Sequence, residues 1–175
     1  MSMINTCALP DHALLSRYAK DGAYTDCYTT LIPGSVSHAD FVTAFYTTWL
    51  FKLERLILRW AVAKSSTDRQ AHELATGQRK DFATWTVEDR SDDQLLMCDV
   101  YGRTRSWLMV AHESTGGNAV TRLYFGSAVV PTKQPTSNRP IMGFQFKALL
   151  GFHRLYSRLL LRAAMRRLMV GRRVQ

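Results

Sequence analysis

The sequence predicts an α+β fold: a curved antiparallel sheet packed against a long C-terminal helix, with two or three helices after the first strand. Three features of the 175 residues carry this expectation. From Phe82 to Val130, apolar residues return at every second position in four segments joined by short polar links, the pattern of an antiparallel meander. From Phe41 to Trp60 they return at every third or fourth position, the spacing of a helix. From about Ile141 to about Val170 helical spacing persists for roughly 45 Å of helix.

Residues 1–22 read as a loosely held lead-in with a short helix over Ala13 to Ala19, and residues 23–175 as one domain. Tyr24, Asp26, Tyr28 and Thr30 alternate with Thr25, Cys27, Thr29 and Leu31, and Pro33-Gly34 follows, so this stretch is a strand and a turn. Ser37 suits a helix N-cap, with Asp40 at the capping-box position. Phe41, Val42, Phe45, Tyr46 and Trp49 form one apolar stripe; Leu53, Leu56, Ile57 and Trp60 form another. They make two helices, or one bent near Thr47-Thr48. A third short helix starts at Thr67 and stops at Gly77. The meander strands are Phe82 to Asp89, Gln94 to Tyr101, Arg105 to His112 and Ala119 to Val130. Pro131 to Pro140 is an irregular linker before the long helix.

Charge is segregated along the chain. Eleven of the 23 Lys/Arg and none of the 14 Asp/Glu follow Glu113, so the net charge of +9 belongs to the final third. Such segregation speaks to partners more than to fold. The three cysteines, Cys7, Cys27 and Cys98, are widely spaced and form no CxxC or zinc-ligand pattern; they read as reduced thiols of a cytosolic protein. The opening MSMINTCALPDHALL lacks the basic region and long apolar run of a secretory signal. Apolar runs stop at a handful of residues, far below the ~20 needed to cross a bilayer. A spanning helix is thereby excluded, but a helix lying on a membrane is not.

The order strand, helices, four strands, long helix resembles the helix-grip superfamily of START-like and polyketide-cyclase-like domains, over about residues 23 to 170. Gly143 to Leu160, with GFHRLYSRLLL inside it, is similar to the tail of an uncharacterised bacterial family of that kind. The resemblance implies a sheet wrapped around the terminal helix, with a cavity between them for an apolar or amphipathic small molecule. It carries over no catalytic residue. An enzyme of the cyclase or hydratase type follows from fold analogy alone.

Two candidate surfaces follow from the residues. If the concave strand faces coincide, Trp85, Tyr101, Arg105, Trp107, Met109, Arg122 and Tyr124 surround a cavity, with Arg105 or Arg122 anchoring an anionic head group. The competing reading is that these side chains are ordinary core with arginines at its rim. On the terminal helix, Arg154, Arg158, Arg162 and Arg166 are four apart and climb one face, with Arg167 beside them. Leu149, Phe152, Tyr156, Leu159, Leu160 and Ala163 are expected on the opposite face, and Leu161, Met165, Leu168 and Met169 near the arginines. That face is a solvated surface, or it docks on anionic membrane or an acidic partner. Nucleic acid ranks below lipid, because no nucleic-acid motif accompanies the charge and aromatic residues are not interleaved with it.

Catalytic, cofactor and metal signatures are missing from the sequence. His112-Glu113 is not HExxH, since Gly116 stands where the second histidine belongs. Glu88 and Asp89 alternate to opposite faces of a regular strand, which argues against a carboxylate pair. His38 reads as an exposed first-turn residue, His153 as a packed or capping side chain, and Cys98 as an inert buried thiol.

Overall fold

The computed structural model describes residues 3–51, 66–130 and 143–172, with side chains of the last stretch described over 153–171. In chain order the elements are β1 (Asn5–Thr6), α1 (Ser16–Lys20), β2 (Tyr24–Pro33), α2 (His38–Tyr46), α3 (Asp68–Ala75), β3 (Asp81–Phe82), β4 (Trp85–Arg90), β5 (Gln94–Asp99), β6 (Thr104–Thr115), β7 (Asn118–Val129) and α4 (Gly143–Arg172). The strands form one seven-stranded antiparallel sheet in the order β1-β2-β7-β6-β5-β4-β3. This is the α+β class expected, with the long terminal helix in place. The stripe from Leu53 to Trp60 and the linker from Pro131 to Pro140 lie outside the described residues.

Local chemistry accounts for most boundaries. The Ser37 side chain accepts from the Asp40 N–H and starts α2. Thr67 and Gln70 form a capping box that starts α3. α2 stops at Tyr46, where the Thr47 hydroxyl donates to the Thr43 carbonyl at 2.6 Å. A new helical turn begins at Trp49, and the Thr48 hydroxyl accepts from the Phe51 N–H at 3.2 Å. Trp49 is thereby thrown off the α2 stripe and is 70 % exposed. β6 and β7 run right up to Gly116 and Gly117, whose φ angles of 58° and 80° suit a tight two-residue hairpin.

The expected strand from Phe82 to Asp89 is interrupted. Ala83 takes φ 54°, so β3 folds back on β4 with Phe82 opposite Trp85. Further on, Val87 opposes Met97 and Asp89 opposes Leu96, which makes Glu88 a bulge. The longest-range pairing joins the first long strand to the last: Tyr24 opposes Val129 and Pro33 opposes Val120.

Both faces of the sheet are apolar and both are covered. On one face α2, α3 and α4 pack over Tyr28, Ile32, Leu95, Met97, Leu108 and Phe125. The Phe45 ring lies 4.8 Å from Phe125 and 5.3 Å from Tyr46, and Tyr46 lies 5.2 Å from Phe82. On the other face Leu9, Ala13, Leu14, Leu15 and Tyr18 cover Leu96, Trp107, Met109 and Ala128. Residues 9–18, expected to be a loose lead-in, thus form the second cover. Leu15 is fully buried. Gly126 in β7 makes room for it, since a Cβ there would lie 2.9 Å from the Asp26 carbonyl oxygen and 2.9 Å from Leu15 Cδ2.

α4 is rotated from the expected orientation. Ser157, Leu160, Leu161, Ala164 and Met165 are buried, whereas Leu155 and Leu159 are exposed beside Arg154, Arg158 and Arg166. Leu161 and Met165 therefore belong to the core, and Leu159 does not. The 3.6-residue period makes an arginine row spaced by four drift around the helix, so a single dividing line misassigns its neighbours.

Candidate functional site

The structure disperses the seven residues expected to line one cavity. Arg105, Trp107, Met109, Arg122 and Tyr124 lie on the face away from α4, beneath or beside the N-terminal cover. Trp85 lies on the helix face as core, and Tyr101 is 75 % exposed in the turn after β5. Trp107 is bound into the cover: its Nε1–H and the Leu14 N–H both donate to the buried Gln94 Oε1 at 2.9 Å. Gln94 in turn donates to the His12 carbonyl at 3.2 Å.

Neither arginine proposed as an anchor is free. Arg105 donates to Glu88 at 2.6 Å and to the Tyr18 hydroxyl at 2.9 Å, with its guanidinium 4.7 Å from the Tyr18 ring. Arg122 grips Glu113 through two bonds of 2.5 and 2.9 Å. Glu88 and Asp89 do not diverge either. The bulge turns both toward α1, where Glu88 accepts from Tyr18 and Asp89 pairs with Arg17.

A cleft between sheet and terminal helix does exist, at the opposite edge and built from other residues. β1 pairs with only two residues of β2, Tyr28 and Thr29, before the chain turns to the outer face. The Tyr24–Asp26 end of β2 is left as an edge beside α4. A cleft of about 710 Å³ opens there, lined by Thr6, Cys7, Leu9, Tyr24, Asp26, Tyr28, Arg154, Leu155 and Arg158. Arg154 donates to the Tyr24 hydroxyl at 3.0 Å. The Arg158 guanidinium lies 5.5 Å from the Tyr28 ring and donates to Thr6 Oγ1 at 2.9 Å. Among the described residues neither arginine is in an ion pair with a carboxylate.

Among the described residues the cleft contains one acid, Asp26, and it is occupied. Its Oδ1 accepts from the Ser127 hydroxyl at 2.6 Å and the Ser127 N–H at 3.1 Å, and its Oδ2 from Tyr28 at 3.3 Å. Burial, with Asp26 close by, pushes the Tyr28 hydroxyl well above its ordinary range, so it stays a donor. His153 Nε2 lies 2.7 Å from Ser127 Oγ and 3.7 Å from Asp26. Ser127, His153 and Asp26 invite comparison with a nucleophilic triad, but the connectivity differs. The carboxylate touches the serine instead of the far side of the imidazole, and Ser127 is 2 % exposed. With the serine proton given to Asp26, the network assigns a proton to His153 Nε2. The trio ties α4 to the sheet, as a packing role for His153 predicts.

His38 departs furthest from expectation. It is 7 % exposed, packed near Leu108, Arg90 and Asp93, and its Nε2 has no hydrogen-bond partner among the described residues. Burial, then repulsion from Arg90, pulls its pKa down to about 4.

Among the described residues no group of three or more His, Cys, Asp or Glu is placed to hold a metal ion, and no helix is long and apolar enough to cross a membrane. Compared with family models and with curated proteins, the chain matches none.

Proposed function

We propose that this domain binds an amphipathic anion, a carboxylate with an apolar body, in the cleft between the open end of β2 and α4. The observation that carries the reading is the pair Arg154 and Arg158, stacked near tyrosine rings and in no ion pair among the described residues, above a wall containing Leu9 and Leu155. Charge-assisted bonds from guanidinium to carboxylate contribute about 1.5–3 kcal/mol each. Tyrosine and leucine surfaces supply the non-directional part. This keeps the expected ligand class and the expected place between sheet and helix, with different lining residues.

Isothermal titration calorimetry with decanoate and decanol tests the proposal. Saturable decanoate binding, at least tenfold tighter than decanol and weakened about tenfold by Arg158→Met, is the expected result. Equal affinity for acid and alcohol, or an unchanged Arg158→Met, overturns it.

One further observation favours a second reading, docking on an anionic lipid surface. Trp49, Leu159 and Val170 are exposed large apolar side chains, and Arg162, Arg166 and Arg167 adjoin them around a hollow of about 650 Å³. Apolar residues among cations suit a helix lying at an interface, at roughly 1 kcal/mol per basic residue near the surface. Sedimentation with phosphatidylserine vesicles, but not phosphatidylcholine vesicles, lost in Arg162→Glu/Arg166→Glu, is expected. Binding that ignores lipid charge sinks this reading.

A further inference from the structure

Cys7 and Cys27 are twenty residues apart in the chain and unremarkable as sequence. The β1–β2 register brings them together. Asn5 opposes Thr29 and Thr6 opposes Tyr28, so the next step places Cys7 across from Cys27, and the Cys7 N–H donates to the Cys27 carbonyl at 3.0 Å. Directly opposed residues of antiparallel strands sit about 4.5–5.5 Å apart at Cα, within the span a disulfide bridges. Both side chains point to the outer face, with their sulfurs 3.2 Å apart as free thiols.

The two thiols are not equivalent. Both border the cleft, but Cys7 is half-buried whereas Cys27 is buried under the N-terminal cover. The hydrogen-bond contact between the two thiols, with the field of Arg122, holds the Cys7 thiol below its ordinary range against the opposing effect of burial. The same contact pushes Cys27 up. A more accessible thiol with a lowered pKa beside a buried thiol is the arrangement of an attacking and a resolving cysteine. Cys98 offers an internal contrast: it lies on β5, and burial pushes its thiol up.

We propose that Cys7 and Cys27 form a peroxide-oxidisable dithiol whose disulfide fastens the N-terminal segment to β2. The Cys7 thiolate attacks a hydroperoxide oxygen; the S–O bond forms as the O–O bond breaks, and the leaving alkoxide or hydroxide takes a proton from solvent. Cys27 sulfur then attacks the sulfenic sulfur. The S–S bond forms, the S–O bond breaks, and hydroxide departs as water with the Cys27 proton. The sulfur pair loses the two electrons that reduce the peroxide.

The test treats the full chain with a small excess of hydrogen peroxide, followed by non-reducing digestion and mass spectrometry. A Cys7–Cys27 linked peptide, reversed by dithiothreitol and retained in Cys98→Ser, is expected. In Cys27→Ser, sulfenic acid accumulates at Cys7 and its dimedone adduct rises severalfold over the native chain. In the native chain, which avoids any folding defect of the variant, iodoacetamide alkylates Cys7 faster than Cys98. Oxidation of Cys98 with Cys7 untouched overturns the proposal, as does an equal dimedone yield at Cys7 with and without Cys27.

Discussion

His38 makes stability depend on pH in a predictable direction. In the unfolded chain its imidazole titrates near its ordinary 6.5; in the folded protein, burial and Arg90 lower that to about 4, against weaker opposition from the Leu108 backbone and Asp93. Between these values the unfolded state binds a proton that the native state refuses, so acidification favours unfolding. The stabilisation is complete above pH 6.5 and is lost as pH falls toward 4. At roughly 1.4 kcal/mol per pH unit, the whole gap is worth about 3 kcal/mol, of which about 2 kcal/mol goes between pH 7 and pH 5. Asp89 and Glu113, held below their ordinary range by hydrogen bonds from Arg17 and Arg122, lose their contribution only as pH falls below their ordinary values of 3.8 and 4.5 toward the lowered folded ones. The window above pH 5 therefore isolates the histidine among these three. Urea unfolding of the native chain and of His38→Gln, at half-unit steps from pH 7.5 to 5, measures the difference. The native midpoint should fall by roughly 1 M urea relative to the variant. Parallel profiles would show that the ring is hydrated or paired in solution, and the argument would fail.

Gly126→Ala should destabilise by about 1–3 kcal/mol, because the new methyl meets the Asp26 carbonyl oxygen and Leu15 within 3 Å. Thermal unfolding checks it, and pairing the change with Leu15→Ala should give a non-additive total, since the two share a contact. Arg105→Met should cost about 1–3 kcal/mol by leaving Glu88 without its cation. Amide exchange over residues 14–20 should accelerate in that variant, and unaltered exchange would mean the cover is held without the arginine.

Most of the longer elements of this fold were legible, but β1, the break between β3 and β4, and the buried faces were not. Ser37, Thr67 and the period of two announced helices and strands correctly, because capping and alternation are local effects. Alternation tells which side chains share a face, but names the buried face only when the other is polar. Here Trp107 and Met109 are as apolar as Leu108 and Val110, because residues 7–18 bury one set and the helices the other. The bulge at Glu88 then shifts the parity of β4, which no count of residues reveals. His38 misled for a related reason: an N-terminal helical turn usually faces water, but α2 leans this one against β6. The Cys7–Cys27 contact needed the register of a two-residue strand.

The order of charges along the chain gains its meaning from this packing. Acidic residues end at Glu113, and those that pair with arginines are spent inside the fold: Asp89 on Arg17, Glu88 on Arg105, Glu113 on Arg122, Glu73 on Arg69 and Arg79. Apart from Arg69–Glu73, which lies within α3, these pairs join different parts of the fold, so their arginines are engaged in holding it together. Arg154 and Arg158 of α4 follow the last acid in the sequence and receive tyrosine faces and, for Arg158, a threonine hydroxyl, contacts that place a guanidinium without neutralising it. A cation fixed at a cleft without a direct ion pair among the described residues does little for folding and favours an anion that fits beside it. The separation of charge along the sequence thus corresponds to a division of labour in space, and this is why the arginines of α4, not those of β6 and β7, are where an anionic ligand is to be sought.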